Sequence, residues 1–337
     1  MRAMLLAAGL GTRMRPVTHL LAKPAIPFLN VPLLLWSLEF LRELKPDRIV
    51  ANLHHLPQTI RDLAPMVEKS GLAIQFTHEV AAPLGSGGAL WFAKKELADC
   101  KTLLVANADE VILPTNPETL TRMLELHERT NALATLLTMR HPEAGTKFGG
   151  VWTDNSHAVQ GFGKDGSPFT KATQALHYVG VILLNTRIFN YLPEGESNLL
   201  YDAVMSAIAK GERVNAFCEE LIWHETGNPK DFLLATREIL ELMDAPTGTS
   251  VAGSLVQRTV REHAPASTSF SRSHAGLLLA ADLAAGSKSR DEILRSLEKE
   301  KAFAVIGANA LIQSSVLNSV VLPNARVLSP ITGDIAL

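Results

Sequence analysis

A short apolar run at residues 2–8 breaks at Gly9 and Gly11, and Thr12, Arg13, Arg15 and Lys23 follow before Pro24 and Pro27. A run this short and apolar on both faces reads as a fully buried strand. Glycines placed just after it leave backbone N–H groups open to an approaching anion. Arg and Lys add full charge, and the guanidinium fork can hold two phosphate oxygens at once. A Gly-x-Gly turn alone is equally a basic surface turn. Its surroundings narrow the choice. Residues 32–44 carry Leu34, Leu35, Leu38 and Leu41 at helical spacing behind Pro32, residues 48–52 read as a strand, 57–70 as a helix stopped by Gly71, and 73–78 as a strand. Alternating strands and helices predict a parallel sheet covered on both faces. In such sheets ligands sit beyond the carboxyl ends of the strands, which is where Ala7 and the first glycine turn lie.

The same rule applies at the other strand ends. His54 and His55 follow the second strand. With no partner at ligand spacing, they are read as lining a cleft or bonding the loop rather than holding a metal. After the third strand, Gly85, Ser86, Gly87 and Gly88 open a helix expected over residues 89–97. A run of glycines lets a flat ring lie on the backbone, and a helix N-terminus with spare glycines is the plainer reading. The fourth strand, 102–106, leads into Asn107, Ala108 and Asp109. A carboxylate there faces the ligand crevice. Glu110 is expected to point the other way if the backbone stays extended.

Residues 117–130 read as a helix and 133–139 as a strand. Short strands at 150–153, 159–162 and 177–185 then predict an antiparallel addition over one end of the sheet. Gly180 falls inside the last of these, where a missing side chain admits either a ligand or a close neighbour. A helix over 199–210 ends at Gly211, a strand at 213–217 precedes the segment Trp223, His224, Glu225, Thr226, Gly227, Asn228, Pro229, and a helix over 229–244 follows. Residues 245–273 are rich in Ala, Thr, Ser, Gly and Pro and read as a linker or partly ordered wrap. A charged helix is expected over 291–301.

A net charge of −2, from 32 basic and 34 acidic residues, argues against a general nucleic-acid binder. Cys100 and Cys218 make neither a disulfide framework nor a metal cluster and are read as free thiols of a reducing compartment. The N-terminal apolar run is too short for a signal peptide, and no stretch approaches the ~20 apolar residues of a membrane span, so a cytoplasmic location is expected.

From Gly9 to Pro27 the chain resembles the sugar-1-phosphate nucleotidyltransferases. Gly9, Gly11, Thr12, Arg13, Pro16, Thr18, Lys23, Pro24 and Pro27 stand in register with that family's signature, and Ala22 replaces a frequent proline. The resemblance implies a Rossmann-like α/β fold with a mixed, mostly parallel sheet. It implies attack of a sugar-1-phosphate oxygen on the α-phosphorus of a nucleoside triphosphate, with Mg²⁺ as cofactor. Arg13 and Lys23 take the catalytic roles. Ala7, Gly9, Gly11, Thr12 and the loop Gly85, Ser86, Gly87, Gly88 bind the nucleotide. Lys164 sits where the family often carries a Glu-Lys pair and, with Gly180, is the candidate for the sugar phosphate; a solvated loop lysine is the other reading. Asp109 falls on a metal-binding aspartate, and Glu225 stands where a second aspartate is usual. Residues 304–327 repeat loosely every six residues, resembling the hexapeptide coils of a left-handed β-helix. Three parts are expected: a catalytic domain at 1–244, a linker at 245–302 and a β tail at 303–337 through which copies of the chain associate. The resemblance leans slightly to GTP with mannose-1-phosphate, or UTP with an amino-sugar phosphate. Ala22, Ala108, Gly163 and Glu225 keep open a second reading, a weak or inactive relative that binds nucleotide-sugar as a sensor.

Overall fold

The computed structural model describes residues 1–166 and 168–337. Its centre is a nine-stranded mixed sheet. Arg2–Leu6 lies between Arg48–Leu53 and Thr102–Asn107, with Met4 opposite Val50 on one side and Val105 on the other, all parallel. Ile74–His78 extends the sheet beyond Arg48–Leu53, also parallel. The direction then reverses. Gln174–Asn185 runs antiparallel to Thr102–Asn107 and to Ala134–Met139, and Val214–Cys218 lies parallel to the latter.

Gln174–Asn185 is 12 residues long. Its second half completes the main sheet. Its first half overshoots the end of Thr102–Asn107 and pairs with Gly150–Thr153, which pairs with Val159–Gly163. The expected antiparallel addition is therefore a continuation of the sheet, hung over the carboxyl ends of the parallel strands.

Both faces are covered, so the parallel strands are apolar throughout. On one face all nine residues of the helix Leu33–Leu41 are buried. Phe28, fully buried, meets Trp36 and Phe232 edge-on at 5.5 and 5.3 Å, and Trp36 Nε1 donates to the Phe28 carbonyl at 3.0 Å. Burying one such ring stabilises the fold by about 2–3 kcal/mol. On the other face Met4, Val50, Leu90, Leu103 and Val105 form a second core.

Three segments differ from expectation. The helix expected over 57–70 is two short ones, Pro57–Arg61 and Ala64–Lys69, because Pro65 lies in the first turn of the second and cannot continue the first. A ribbon, Val111–Pro114 antiparallel to Leu221–His224, went unread in the sequence. The stretch taken as a linker or wrap contains a helix, Val251–His263, whose cap Ser250 accepts from the Gly253 N–H at 3.0 Å. That helix is tied to Leu33–Leu41 by the buried Glu39 carboxylate, which accepts from Arg42 at 2.7 Å, lies 2.8 Å from His263 Nε2 and lies 3.6 Å from Arg258 Nε.

The C-terminal strands stack in parallel with a step of 15 residues: Val305 on Val320 on Ile335, Leu311 on Arg326, and Val316 on Ile331. The loose six-residue spacing read from the sequence is thus closer to five per side. Ser269–Ser273 and Gly276–Ala280 belong to the same sheet as Phe303–Ile306, so this sheet runs across the boundary expected at 302/303. Buried Asn30, in the turn of a short ribbon (Pro27–Phe28 with Val31–Pro32), donates to the Ile306 carbonyl at 3.0 Å and fastens the stack to the N-terminal part of the chain.

Candidate active site

A cavity of about 470 Å³ opens at the carboxyl ends of the parallel strands. Ala7, Ala8, Gly9, Gly11, Thr12 and Arg13 wall it on one side, and Asp109, Glu110, Glu225 and Gly227 on the other. The first loop is shaped from below. Gly11 has φ +60°, and a Cβ there would lie 2.8 Å from Thr18 Cγ2. Thr18 Oγ1 donates to the Gly11 carbonyl at 2.9 Å, and His55 Nε2 bonds the Thr18 carbonyl at 2.7 Å. His54 bonds the Glu79 carbonyl at 2.6 Å. The two histidines brace loops, as read from their spacing. Gly9, by contrast, has nothing within 4 Å of a built Cβ, so its space belongs to the cavity.

Charge is balanced in pairs. Lys23, 8% exposed, holds Asp109 Oδ2 at 2.8 Å, and Arg13 holds Glu225 Oε1 at 2.6 Å. Each pair joins the first loop to the opposite wall. The ribbon brings Glu225 there, and buried Thr226 fixes the approach by donating to the Asp109 carbonyl at 2.7 Å.

Glu110 does not turn away. The strand ends at Asn107 and a turn at Ala108 and Asp109 breaks the alternation, so Glu110 lines the same cavity. It accepts from Trp223 Nε1 at 3.1 Å and from Asn107 Nδ2 at 3.4 Å. Burial, and then the adjacent Asp109 charge, push its carboxyl up to about 7, against the pull of Lys23.

Of the second glycine loop, the first half reaches the cavity and the second half does not. The helix begins at Gly85, four residues earlier than predicted. Gly85 and Ser86 line the cavity. Gly87 and Gly88 do not: a Cβ on Gly88 would lie 2.2 Å from the Gly195 carbonyl oxygen, and one on Gly87 would lie 2.6 Å from Ser197 Oγ. They are small because residues 195–199 press on them. Gly180 is likewise a packing glycine, with φ +83° and Asn107 Nδ2 at 2.7 Å from a built Cβ. Lys164 is exposed and is not among the residues lining the cavity.

Asn52 and Glu79 escaped the sequence reading. Asn52 accepts from the Ala7 N–H at 2.8 Å and donates to Glu79 Oε1 at 2.7 Å, and Glu79 Oε2 accepts from the Leu84 N–H at 2.7 Å. One buried amide and one buried carboxylate thus link both loops. Both residues lie at strand ends, where the crevice rule could have found them.

The donor set suits a hard ion. Asp109, Glu110 and Glu225 offer carboxylate oxygens to one cavity, and no three acidic or histidine ligand atoms converge here within 4.8 Å among the described residues. Such a set fits a cation that completes its shell with phosphate and water oxygens, as Mg²⁺ does.

The profile of the nucleotidyl transferase family matches residues 2–241. The chain belongs to that family. It is 29% identical over 255 residues to a UTP–glucose-1-phosphate uridylyltransferase of Synechocystis, covering 71% of this chain and 63% of that protein. It is 27% identical over 235 residues to the mannose-1-phosphate guanylyltransferase catalytic subunit beta of Dictyostelium discoideum, covering 69% and 63%. The chain therefore spans a little under two thirds of the length of these relatives. Among solved structures it is similar to UDP-glucose pyrophosphorylase from Acinetobacter baumannii, with TM-score 0.61, 19% identity, and coverage of 77% of this chain and 98% of that one. HddC from Yersinia pseudotuberculosis complexed with GMP-PN gives TM-score 0.56 at 20% identity, with coverage of 70% and 98%. These structural likenesses show the nucleotidyltransferase α/β fold; the β-strand region C-terminal to it is seen in this structure. No described helix is long and apolar enough to cross a membrane.

Proposed function

We propose that this family member transfers a nucleotidyl group from a nucleoside triphosphate to a sugar-1-phosphate. A phosphate oxygen of the sugar attacks the α-phosphorus, the bond to the bridging oxygen of the β-phosphate breaks, and pyrophosphate leaves. The observation that carries this reading is the pairing of Lys23 with Asp109 and Arg13 with Glu225 across one glycine-walled cavity. It holds the cations a triphosphate needs and, released by them, the carboxylates a metal needs.

Backbone N–H groups at Gly9, Gly11 and Thr12 receive phosphate oxygens, and Arg13 exchanges Glu225 for the triphosphate. Lys23 exchanges Asp109 for the reacting phosphate and offsets charge as the bond to pyrophosphate breaks. Asp109 and Glu225 would hold Mg²⁺, which supplies charge neutralisation on the phosphates. Ala7, fixed by Asn52, and Gly85 with Ser86 form the seat of the base. Alignment and charge balance supply the catalysis, with no covalent intermediate on the protein. The slight lean to GTP with mannose-1-phosphate, or UTP with an amino-sugar phosphate, is part of the proposal. So is a left-handed coil at the C-terminus, supported by the parallel stacking there, whose 15-residue step is shorter than three hexapeptides. Pyrophosphate release, measured for five nucleoside triphosphates against a panel of sugar-1-phosphates, tests the reading. One productive pair is the expected result. Silence across the panel would overturn it.

A further inference from the structure

The ribbon of Val111–Pro114 with Leu221–His224 ends at the cavity, with Val111 opposite His224. One step further along the same register, Glu110 faces Glu225. Opposed like charges on neighbouring strands repel. Arg13 relieves Glu225, and Lys23 is taken by Asp109. Among the described residues no cation forms a salt bridge with Glu110. Its carboxylate is held instead by two neutral donors, Trp223 Nε1 at 3.1 Å and Asn107 Nδ2 at 3.4 Å. Gly180 leaves room for that amide, since a Cβ there would lie 2.7 Å from Asn107 Nδ2. A half-buried carboxylate without a counter-charge carries a desolvation cost that an apolar side chain would avoid.

The two bonds cross the site. Asn107 closes the strand Thr102–Asn107, two residues before Asp109, and Trp223 stands in the ribbon two residues before Glu225. Glu110 therefore ties the segment that carries one carboxylate assigned to the metal to the segment that carries the other. The main chain is fastened at the same junction: Thr226 donates to the Asp109 carbonyl at 2.7 Å, and Ser37 to the Glu110 carbonyl at 3.2 Å.

We propose that Glu110 is a positioning residue for the metal. By bridging Asn107 and Trp223 it sets the spacing at which Asp109 and Glu225 take one divalent cation together with the triphosphate. The proposal rests on the nucleotidyltransferase reading and adds to it a residue outside the motif that carried the resemblance. Both Glu110 oxygens already accept N–H groups, so its part is to hold the wall, with Asp109 and Glu225 left to the cation. Groups that orient metal ligands from behind are worth about ten- to a hundredfold in metal affinity.

The test measures triphosphate binding by calorimetry, with GTP and with UTP, sugar phosphate absent, once in Mn²⁺ and once in EDTA. The ratio of the two Kd values reads the metal's contribution without turnover. Glu110→Ala should cut that ratio by about tenfold or more. Its Kd in EDTA should not rise, because Glu110 holds no phosphate. Glu110→Gln keeps an acceptor for the indole N–H and should stay within about threefold of wild type. Trp223→Phe removes the donor and should lose as much as Glu110→Ala. The two changes together should cost no more than either alone, the mark of residues that act through one bond. A loss in Glu110→Gln equal to that in Glu110→Ala would overturn the proposal, because charge and direct ligation would then be the cause. So would additive losses in the double variant, an unchanged ratio in Glu110→Ala, or a rise in its Kd in EDTA. A wild type that binds neither triphosphate would overturn the nucleotidyltransferase reading itself, and this proposal with it. A wild type that binds one with no gain from Mn²⁺ would overturn only the metal's place and this proposal.

Discussion

Two clusters of paired charge lie on the same core and do different work. In the cleft, Lys23–Asp109 and Arg13–Glu225 face a cavity large enough for a triphosphate. Behind the sheet, Glu39 is enclosed by Arg42, Arg258 and His263 between the helices Leu33–Leu41 and Val251–His263. Glu39, Glu262 and His263 even bring three ligand atoms within metal-binding reach of one another. Arg42 already occupies the cation's place, 2.7 Å from Glu39 and 3.0 Å from Glu262. The Glu39 cluster also borders a cavity, of about 540 Å³, but its cations tie two helices together, whereas the cleft pairs join a glycine turn to the opposite wall.

The sharpest way to break this contrast is to remove one member of a cleft pair. Lys23→Ala and Asp109→Ala should each lower turnover by at least about two to three orders of magnitude, the scale of losing one charge-stabilising group. Both should keep the Tm within a few degrees, as measured by calorimetry. Near-normal turnover in either would dissolve the distinction.

The converse applies to Glu39. Glu39→Ala should cost about 2–3 kcal/mol in urea unfolding, at the low end for a broken buried pair because the arginines reach water. Turnover per folded molecule should hold. Burial pushes the Glu39 carboxyl up, but the hydrogen bonds from His263 and Arg42 outweigh it and leave it below the ordinary 4.5. The unfolded chain therefore takes up this proton at higher pH than the native one. The stabilisation is complete above about 4.5 and is lost as pH falls further. Glu39→Gln should flatten the acid side of the stability profile by one carboxylate.

The two glycine loops make a smaller version of the same comparison. Gly88→Ala drives a methyl against a backbone oxygen and should destabilise by about 1–3 kcal/mol. Gly9→Ala meets nothing in the protein, so its unfolding midpoint should not move, while KM for the nucleotide should rise about tenfold as the methyl enters the cavity. Equal unfolding midpoints would show that the second loop also faces the ligand.

Glu225→Asp is expected to have the smallest effect. It withdraws one methylene from a pair whose arginine side chain is 64% exposed, so stability should change by less than about 1 kcal/mol. Its value lies in turnover. A rise would mean that Arg13 is released more readily to the nucleotide, and a fall would mean that the longer reach is needed.

Local chemistry made much of this legible. The buried strand Arg2–Leu6, the turn at Gly9 and Gly11, and the strand-end Asp109 follow from period, glycine and the crevice rule. The cations Arg13 and Lys23 stand in the same motif. Glu110 enters the cavity because a turn at Ala108 and Asp109 breaks the alternation after Asn107. Three things were not local. Gly87, Gly88 and Gly180 are small because of residues 195–199 and Asn107, more than a hundred positions away in two cases and over seventy in the third. Lys164 carries the right charge in a loop that leaves it outside the cavity lining. The Ala- and Ser-rich stretch after residue 245 holds a helix whose Leu255, Val256 and Val260 pack into the main core and whose Arg258 and His263 meet Glu39, partners that composition does not reveal.

The parallel half of the sheet, the phosphate-type turn and the inventory of cations and carboxylates are written in the chain's local pattern, because periodicity and backbone freedom are properties of neighbouring residues. Which carboxylate each cation meets, which glycines face ligand or protein, and that His177 lies beside Trp223 with no hydrogen-bond partner among the described residues follow from the packing alone. Those are distances between segments far apart in the chain, and no local preference encodes a distance.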